Sequence, residues 1–394
     1  MFRKKYTKNG ILRSELASSF VLLFNTLIWY RLIKALIEEV TISTLLKEAV
    51  IFYYVGIVLS SIIGAIIAKF VLRLTILYIW MTLGAFLSVL PLVAMYIKLQ
   101  CISLIINFLL GFSVGVGLPS SLAYHADHTA IEERGLTSGI IFLATNIGII
   151  PLFLLLTIIP EIVMKTAVLA LWRVCGILLF KITNPRDTYK AKQEAFINIL
   201  RSRTVIYYLI PWILFNIIDR LVGEFSRDIT EAIFGGFSSI VGGYLADKIG
   251  RKRIVVYGFV MLGLAYGTIG VAPAWFLSHY IYSILDGFAA GMLWVAYILV
   301  LWGDLSKPGN REGFYMIGNV PFLATRFIPL IFYPYLANLP RNALFSIASF
   351  FLFLAVLPLM YAPETLPEKV IRRRELKEYV EKAKELREKY MKEN

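Results

Sequence analysis

Twelve stretches of about 20 apolar residues recur along these 394 residues, and no other feature narrows the fold as far. They lie near 16–37, 48–68, 74–95, 101–124, 136–159, 163–181, 204–222, 229–246, 254–272, 275–302, 313–336 and 342–361. A helix needs about 20 such residues to cross the hydrocarbon core, so the chain reads as an all-α membrane protein with six spans on each side of a polar segment. The eighth run is the weakest, being short, rich in glycine and flanked by Arg227, Asp228 and Glu231.

With 58% hydrophobic and 17% charged residues, lipid is the solvent to assume. The net charge of +14 does not point to nucleic acid, because the basic residues fall in short loops and a tail. Threading the spans alternately gathers Lys69, Arg73, Arg134, Arg186, Lys248, Arg251, Lys252 and Arg311 on one face, with both termini. The positive-inside bias makes that face cytoplasmic in a multi-pass protein of the cell membrane. The basic start followed by a long apolar run, without a small-residue cleavage site, reads as a retained first helix.

The chain also repeats itself. The block Gly243-Tyr-Leu-Ala-Asp247-Lys248-Ile-Gly250-Arg251-Lys252 has a worn copy 179 residues earlier, which keeps Gly64, Lys69 and Arg73 and has Ala68, Val71 and Leu72 where the Asp, second Gly and first Arg stand. Gly111, Gly115, Asp127 and Arg134 fall against Gly287, Gly291, Asp304 and Arg311 at offsets of 176 to 177 residues. Phe24-Asn25 and Phe215-Asn216 match at a longer offset, so the loop after the seventh span is expected to be about ten residues shorter than its counterpart. The domains expected are a bundle at 1–182, a linker at 183–203 holding one short helix, a bundle at 204–362 and a charged helical tail at 363–394.

The block at Gly243 and its copy, in a twelve-span frame written twice, resemble the loop signature of the major facilitator superfamily. The resemblance covers residues 10 to 365 and implies two six-helix bundles related by a pseudo-two-fold axis. It implies a transporter rather than an enzyme, with no cofactor and no metal. The loop would act as a cytoplasmic latch, Gly64, Gly243 and Gly250 serving close packing and turning, and Asp247 meeting a helix end. Because the copy is worn, the latch is expected to rest on the second half. Pro363-Glu364-Thr365 resembles the end-of-bundle signature of sugar and metabolite porters, whereas Asn107 stands where proton-coupled drug exporters carry arginine.

The resemblance further implies that the first, fourth, seventh and tenth spans line the solute path. The polar candidates there are Asn25 and Trp29; Asn107 and His125; Trp212, Asn216 and Asp219; and Tyr282 and Tyr297. Arg326, near the middle of the eleventh span, and Arg173, in the sixth, need a carboxylate, a wet pocket or an anionic solute. Asp286 is the candidate for proton coupling, since a carboxylate at this depth faces a cavity or a partner. Arg31 and Lys34 point away from the Asn25 face and are read as snorkelling to the outer interface. A monomeric, proton-coupled carrier of a small polar solute, sugar-like or acid-like, is expected. The alternatives are efflux of drugs or metabolites and a sensor or scaffold acting through the tail.

Overall fold

The computed structural model describes residues 2–41, 45–97, 99–187, 194–222, 229–336 and 338–367, with 372, 376, 380 and 383 beyond them. Arg227, Asp228 and most of the expected charged helical tail lie outside the described residues. Among those described, every regular element is helical. The long elements are α1 (Phe2–Val40), α2 (Leu46–Ile67), α3 (Arg73–Ile97), α4 (Gln100–His128), α5 (Arg134–Ile158) and α6 (Ile162–Ile182) in the first half. The second half holds α7 (Arg203–Leu221), α8 (Ile229–Ile249), α9 (Arg251–Val271), α10 (Phe276–Leu305), α11 (Arg311–Phe332) and α12 (Arg341–Tyr361). A six-residue helix, Phe196–Arg201, sits in the linker and sets Phe196 and Ile199 over Gly313.

Eleven of the twelve are long and apolar enough to cross a membrane. The remaining one, α8, has 21 residues, about 31 Å of helix, but its apolar character is diluted by glycine, serine and Glu231. Phe70, Phe86, Ile147 and Phe350 stand exposed on the outside of the bundle, as a lipid-facing surface requires. The most apolar window of α10 is 72% buried and that of α6 only 28%, so α10 is central and α6 peripheral.

The ten-residue difference between the first and seventh spans is taken up differently from the expectation. Seven residues separate α7 from α8 and five separate α1 from α2; α7 ends five residues after Asn216, whereas α1 runs fifteen residues past Asn25. The missing residues are two to three helical turns, not loop.

Three helices carry local breaks. In α4 the turn at Val116–Gly117 lies on the Trp80 ring, and α10 carries a π-helical turn over Val295–Val300. In α11 a 3₁₀ turn over Thr325–Phe327 precedes Pro329, whose missing N–H cannot accept the role of donor to the Thr325 carbonyl. That turn carries Arg326. Within halves, α2 packs on α4 and α8 on α10; between halves, α5 packs on α8 and α11 on α2 and α4.

Candidate functional site

The chain's basic loops converge at one end of the bundle, where the two halves are tied together by buried charge. Asp247, at the end of α8, accepts the main-chain N–H groups of Gly135 (2.9 Å) and Leu136 (2.7 Å) at the start of α5. These are donors that a helix N-terminus leaves free, and a carboxylate also complements the helix dipole there. The approach is possible because Gly243 and Gly135 meet backbone to backbone; a Cβ on either would overlap the other helix.

Arg251 pairs with Asp247 at 2.6 Å and, through Nε, with Asp304 at 3.1 Å, and it donates to the Ile131 carbonyl of the first half at 2.6 Å. Arg134 of α5 binds the same Asp304 of α10 from the other side. Gly250 has φ of +112°, a conformation glycine adopts without strain, and it turns the chain so that Arg251 begins α9. Glu364 then accepts the Arg251 N–H at 2.8 Å, together with those of Thr365 and Leu366. The Pro363-Glu364-Thr365 signature therefore has a physical role as a cap on α9. Lys248 lies over the Tyr244 ring, and Lys252 donates to the Met360 carbonyl at 2.8 Å.

The first-half copy is engaged as well, which corrects the expectation that latching belongs to the second half. Arg73 is 2% exposed and is bound by three carboxylates: Asp127 at 2.7 Å, Asp187 at 2.9 Å and Glu312 of α11 at 2.8 Å. Arg311 of α11 in turn meets Asp127 at 3.1 Å. Arg73 opens α3 as Arg251 opens α9, and Asp127 stands to Arg73 as Asp304 to Arg251. Arg73 thus corresponds to Arg251, not to Lys252, and the register inferred from the sequence block is one residue out. Gly64 packs on the Val116 backbone of α4, and Lys69 lies 5.5 Å from the Phe196 ring.

From mid-depth to the opposite end the halves part around a cavity. Its narrow floor is lined by Leu27, Leu118, Leu122, Phe142, Ile298 and Phe322. Above the floor, Tyr30, Arg31, Asn146, Arg220, Glu231 and Trp294 surround roughly 380 Å³ of space, with Arg326 on the wall. The cavity then continues past Lys34, Glu38, Lys47 and Leu330 at the opposite end.

Of the residues named from sequence for the solute path, Arg326 lines this cavity. Most of the others make interhelix contacts. Asn25 donates to the Trp172 carbonyl at 2.7 Å and accepts from Arg173 at 2.9 Å, facing α6. The Trp29 indole donates to Ser88 at 2.8 Å, and Asn107 donates to the Ser103 carbonyl of its own helix. His125 lies between the hydroxyls of Ser19 and Ser138, 3.1 Å from each. Trp212 stacks on Tyr297 with centroids 4.5 Å apart and donates to the Gly318 carbonyl; Asn216 donates back to the Trp212 carbonyl. Asp219 pairs with Arg220 at 3.6 Å, and Tyr282 packs against Tyr266 and Phe345. Asp286 is buried on α10 next to Gly287, which packs on α8 at Glu231 and Phe234.

Lys34 and Arg31, both read from sequence as snorkelling outward, line the cavity, and Arg31 donates to Asn146 at 2.7 Å. Six residues beyond Asn25, it points about 120° away from it, as expected. The face of Asn25, however, is turned to α6, so the face of Arg31 is the one turned inward.

Residues 230–390 match the model of the Major Facilitator Superfamily. Among curated proteins the chain is similar to the shikimate transporter of Escherichia coli (strain K12), 28% identical over 93 residues. That match spans 22% of this chain and 21% of the relative. Similar folds include the proton:xylose symporter XylE bound to 6-bromo-6-deoxy-D-glucose, with a TM-score of 0.67, 13% identity, and 90% of this chain and 96% of that one covered. The transporter FucP in the outward conformation gives 0.70, 11%, 89% and 98%, and the human organic anion transporter MFSD10 gives 0.65, 14%, 88% and 99%. The signature loop, its worn repeat and the twelve helices thus agree with the family model matched over residues 230–390 and with the fold of these transporters.

Proposed function

We propose that the chain is a secondary transporter that carries a small polar organic metabolite, sugar-like or acid-like, across the cytoplasmic membrane by alternating access. The observation that carries this reading is the pairing of a cavity between the halves, open toward one end, with a cross-half ion network that seals the other. In this reading the positive-inside bias favours the cytoplasm for the sealed, basic end, which makes this the outward-facing arrangement. Both the seal and the cavity are complete within one chain, in keeping with a working monomer.

Energy comes from a proton or solute gradient, and Asp286 is the proposed coupling carboxylate, because a buried acid in mid-membrane is kept at a cost that a proton can relieve. Similarity to proteins named for shikimate, xylose and organic anions supports a solute of this kind. The test is uptake into reconstituted vesicles of shikimate, xylose and fucose, with and without an inward proton gradient. One of them should accumulate; vesicles that move none would overturn the transport reading. Asp286→Asn should abolish gradient-driven accumulation and leave solute exchange, and unchanged accumulation would remove Asp286 from the coupling.

A further inference from the structure

The charges on the cavity wall do not balance. Five basic side chains line it: Arg31, Lys34, Arg220, Arg326 and, exposed at the mouth, Lys47. Lys34 is paired with Glu38 at 3.1 Å, and Arg220 with Asp219 at 3.6 Å. Glu231 shares the same wall and has its own partner. Arg31 is bound to the neutral amide of Asn146, and Arg326 lies 4.6 Å from the Phe322 ring with its Nε lacking a hydrogen-bond partner. Among the described residues neither of these two guanidinium groups forms an ion pair with a carboxylate. Two unpaired cations held inside a membrane protein are costly unless water or an anion meets them.

Arg31 stands on α1 of the first half and Arg326 on α11 of the second, and both border the narrow floor as well as the wider space above it. Below them the wall is aliphatic and aromatic: Leu27, Leu118, Leu122, Phe142, Ile298 and Phe322. An inorganic anion would satisfy the guanidiniums and leave that floor unfilled. A ligand with a charged head and an apolar body satisfies both.

Resting on the transport reading, we propose that the solute is an organic monoanion. Its carboxylate is held between Arg31 and Arg326, and its apolar body is seated toward Leu122 and Phe142. A guanidinium offers paired donors in the plane a carboxylate presents, so the two arginines read charge and shape together. The anion therefore binds both halves at once, and a neutral analogue of the same shape leaves two desolvated cations facing each other.

The test uses the purified full chain and two matched pairs, benzoate with benzamide and cyclohexanecarboxylate with its carboxamide, titrated by calorimetry. At least one carboxylate should bind, tenfold or more tightly than its amide. Arg31→Gln and Arg326→Gln should each weaken that carboxylate tenfold or more without changing the amide, with helicity checked by circular dichroism. The wild-type comparison stands even where a variant fails to fold. Equal binding within both pairs, or binding of neither carboxylate, would overturn the assignment. If wild-type vesicles accumulate xylose while no carboxylate binds, the anion assignment falls and the transport reading stands; if no solute moves, transport itself falls.

Discussion

Replacing Asp247 by Ala should open the basic-loop end, and the size of the effect follows from its partners. Its two bonds to the Gly135 and Leu136 N–H groups run from α8 to α5, so they exist only while the halves are closed at this end. A hydrogen bond to a charged group contributes about 1.5–3 kcal/mol, and water resolvates the freed donors once the halves part. The loss of both bonds falls on the closed arrangement alone and comes to about 3–6 kcal/mol. The pair with Arg251 lies within one half and survives either arrangement, so it does not add to this figure. At about 1.4 kcal/mol per factor of ten, the closed-to-open ratio should drop roughly 100- to 20,000-fold. Cysteine labelling reads this directly, after the exposed Cys101 and Cys175 are changed to serine. Ala126 is 1% exposed and lies against Gly303 of the other half, so a maleimide should reach Ala126→Cys only when this end opens. Asn146→Cys, on the cavity wall, should label more slowly as the cavity closes. Labelling rates within twofold of the parent at both positions would refute the cap as a latch.

Three further outcomes follow from the same geometry. Gly243→Ala places a Cβ into the Gly135 carbonyl, so it should expose Ala126→Cys as Asp247→Ala does, while leaving the helix content by circular dichroism unchanged. Glu364→Ala removes the cap from the first turn of α9 and should lower stability by about 1–2 kcal/mol in thermal unfolding, with Glu364→Gln falling between. Arg173 is fully buried between the rings of Trp29 (4.7 Å) and Trp80 (5.2 Å), bonded to Asn25 and Thr26 and with no carboxylate partner among the described residues. Arg173→Met removes a desolvated charge and keeps the volume, whereas Arg173→Lys keeps the charge and loses the planar stack, so Met should unfold at the higher temperature.

The bundle was legible in the sequence because apolar length is imposed by the bilayer and cannot be disguised by local propensity. Even α8 was located as an apolar run near 229–246, though it is the weakest of the twelve. What escaped was rotation about the helix axes. Periodicity places Asn25 and Arg31 about 120° apart on α1, yet it cannot say which direction is the cavity, since a polar residue may be turned inward by a neighbouring helix as readily as by water. Asn25, Trp29 and His125 tie helices together, and Asn107 bonds within its own helix. Arg31 was polar because it faces the open space.

The repeat shows the complementary failure, where the signal was in the sequence and composition hid it. Asp187 precedes Glu364 by 177 residues, the same offset that relates Asp127 to Asp304 and Arg134 to Arg311. Read as the start of a polar linker, Asp187 had no role; in the structure it binds Arg73 while Glu364 binds the N–H of Arg251. Each half therefore closes with a carboxylate on the residue that opens its third helix, and the repeated unit runs on to that carboxylate. The two copies have then diverged at one point in a compensating way. Where the second half uses Asp247 to hold the start of α5, the first half has no acid before Arg73, and the α11 start supplies its own in Glu312, which lies where Gly135 stands in α5. The charge that bridges the halves is kept while the helix that contributes it is exchanged, which is why a motif scored as worn in the sequence is fully engaged in the fold.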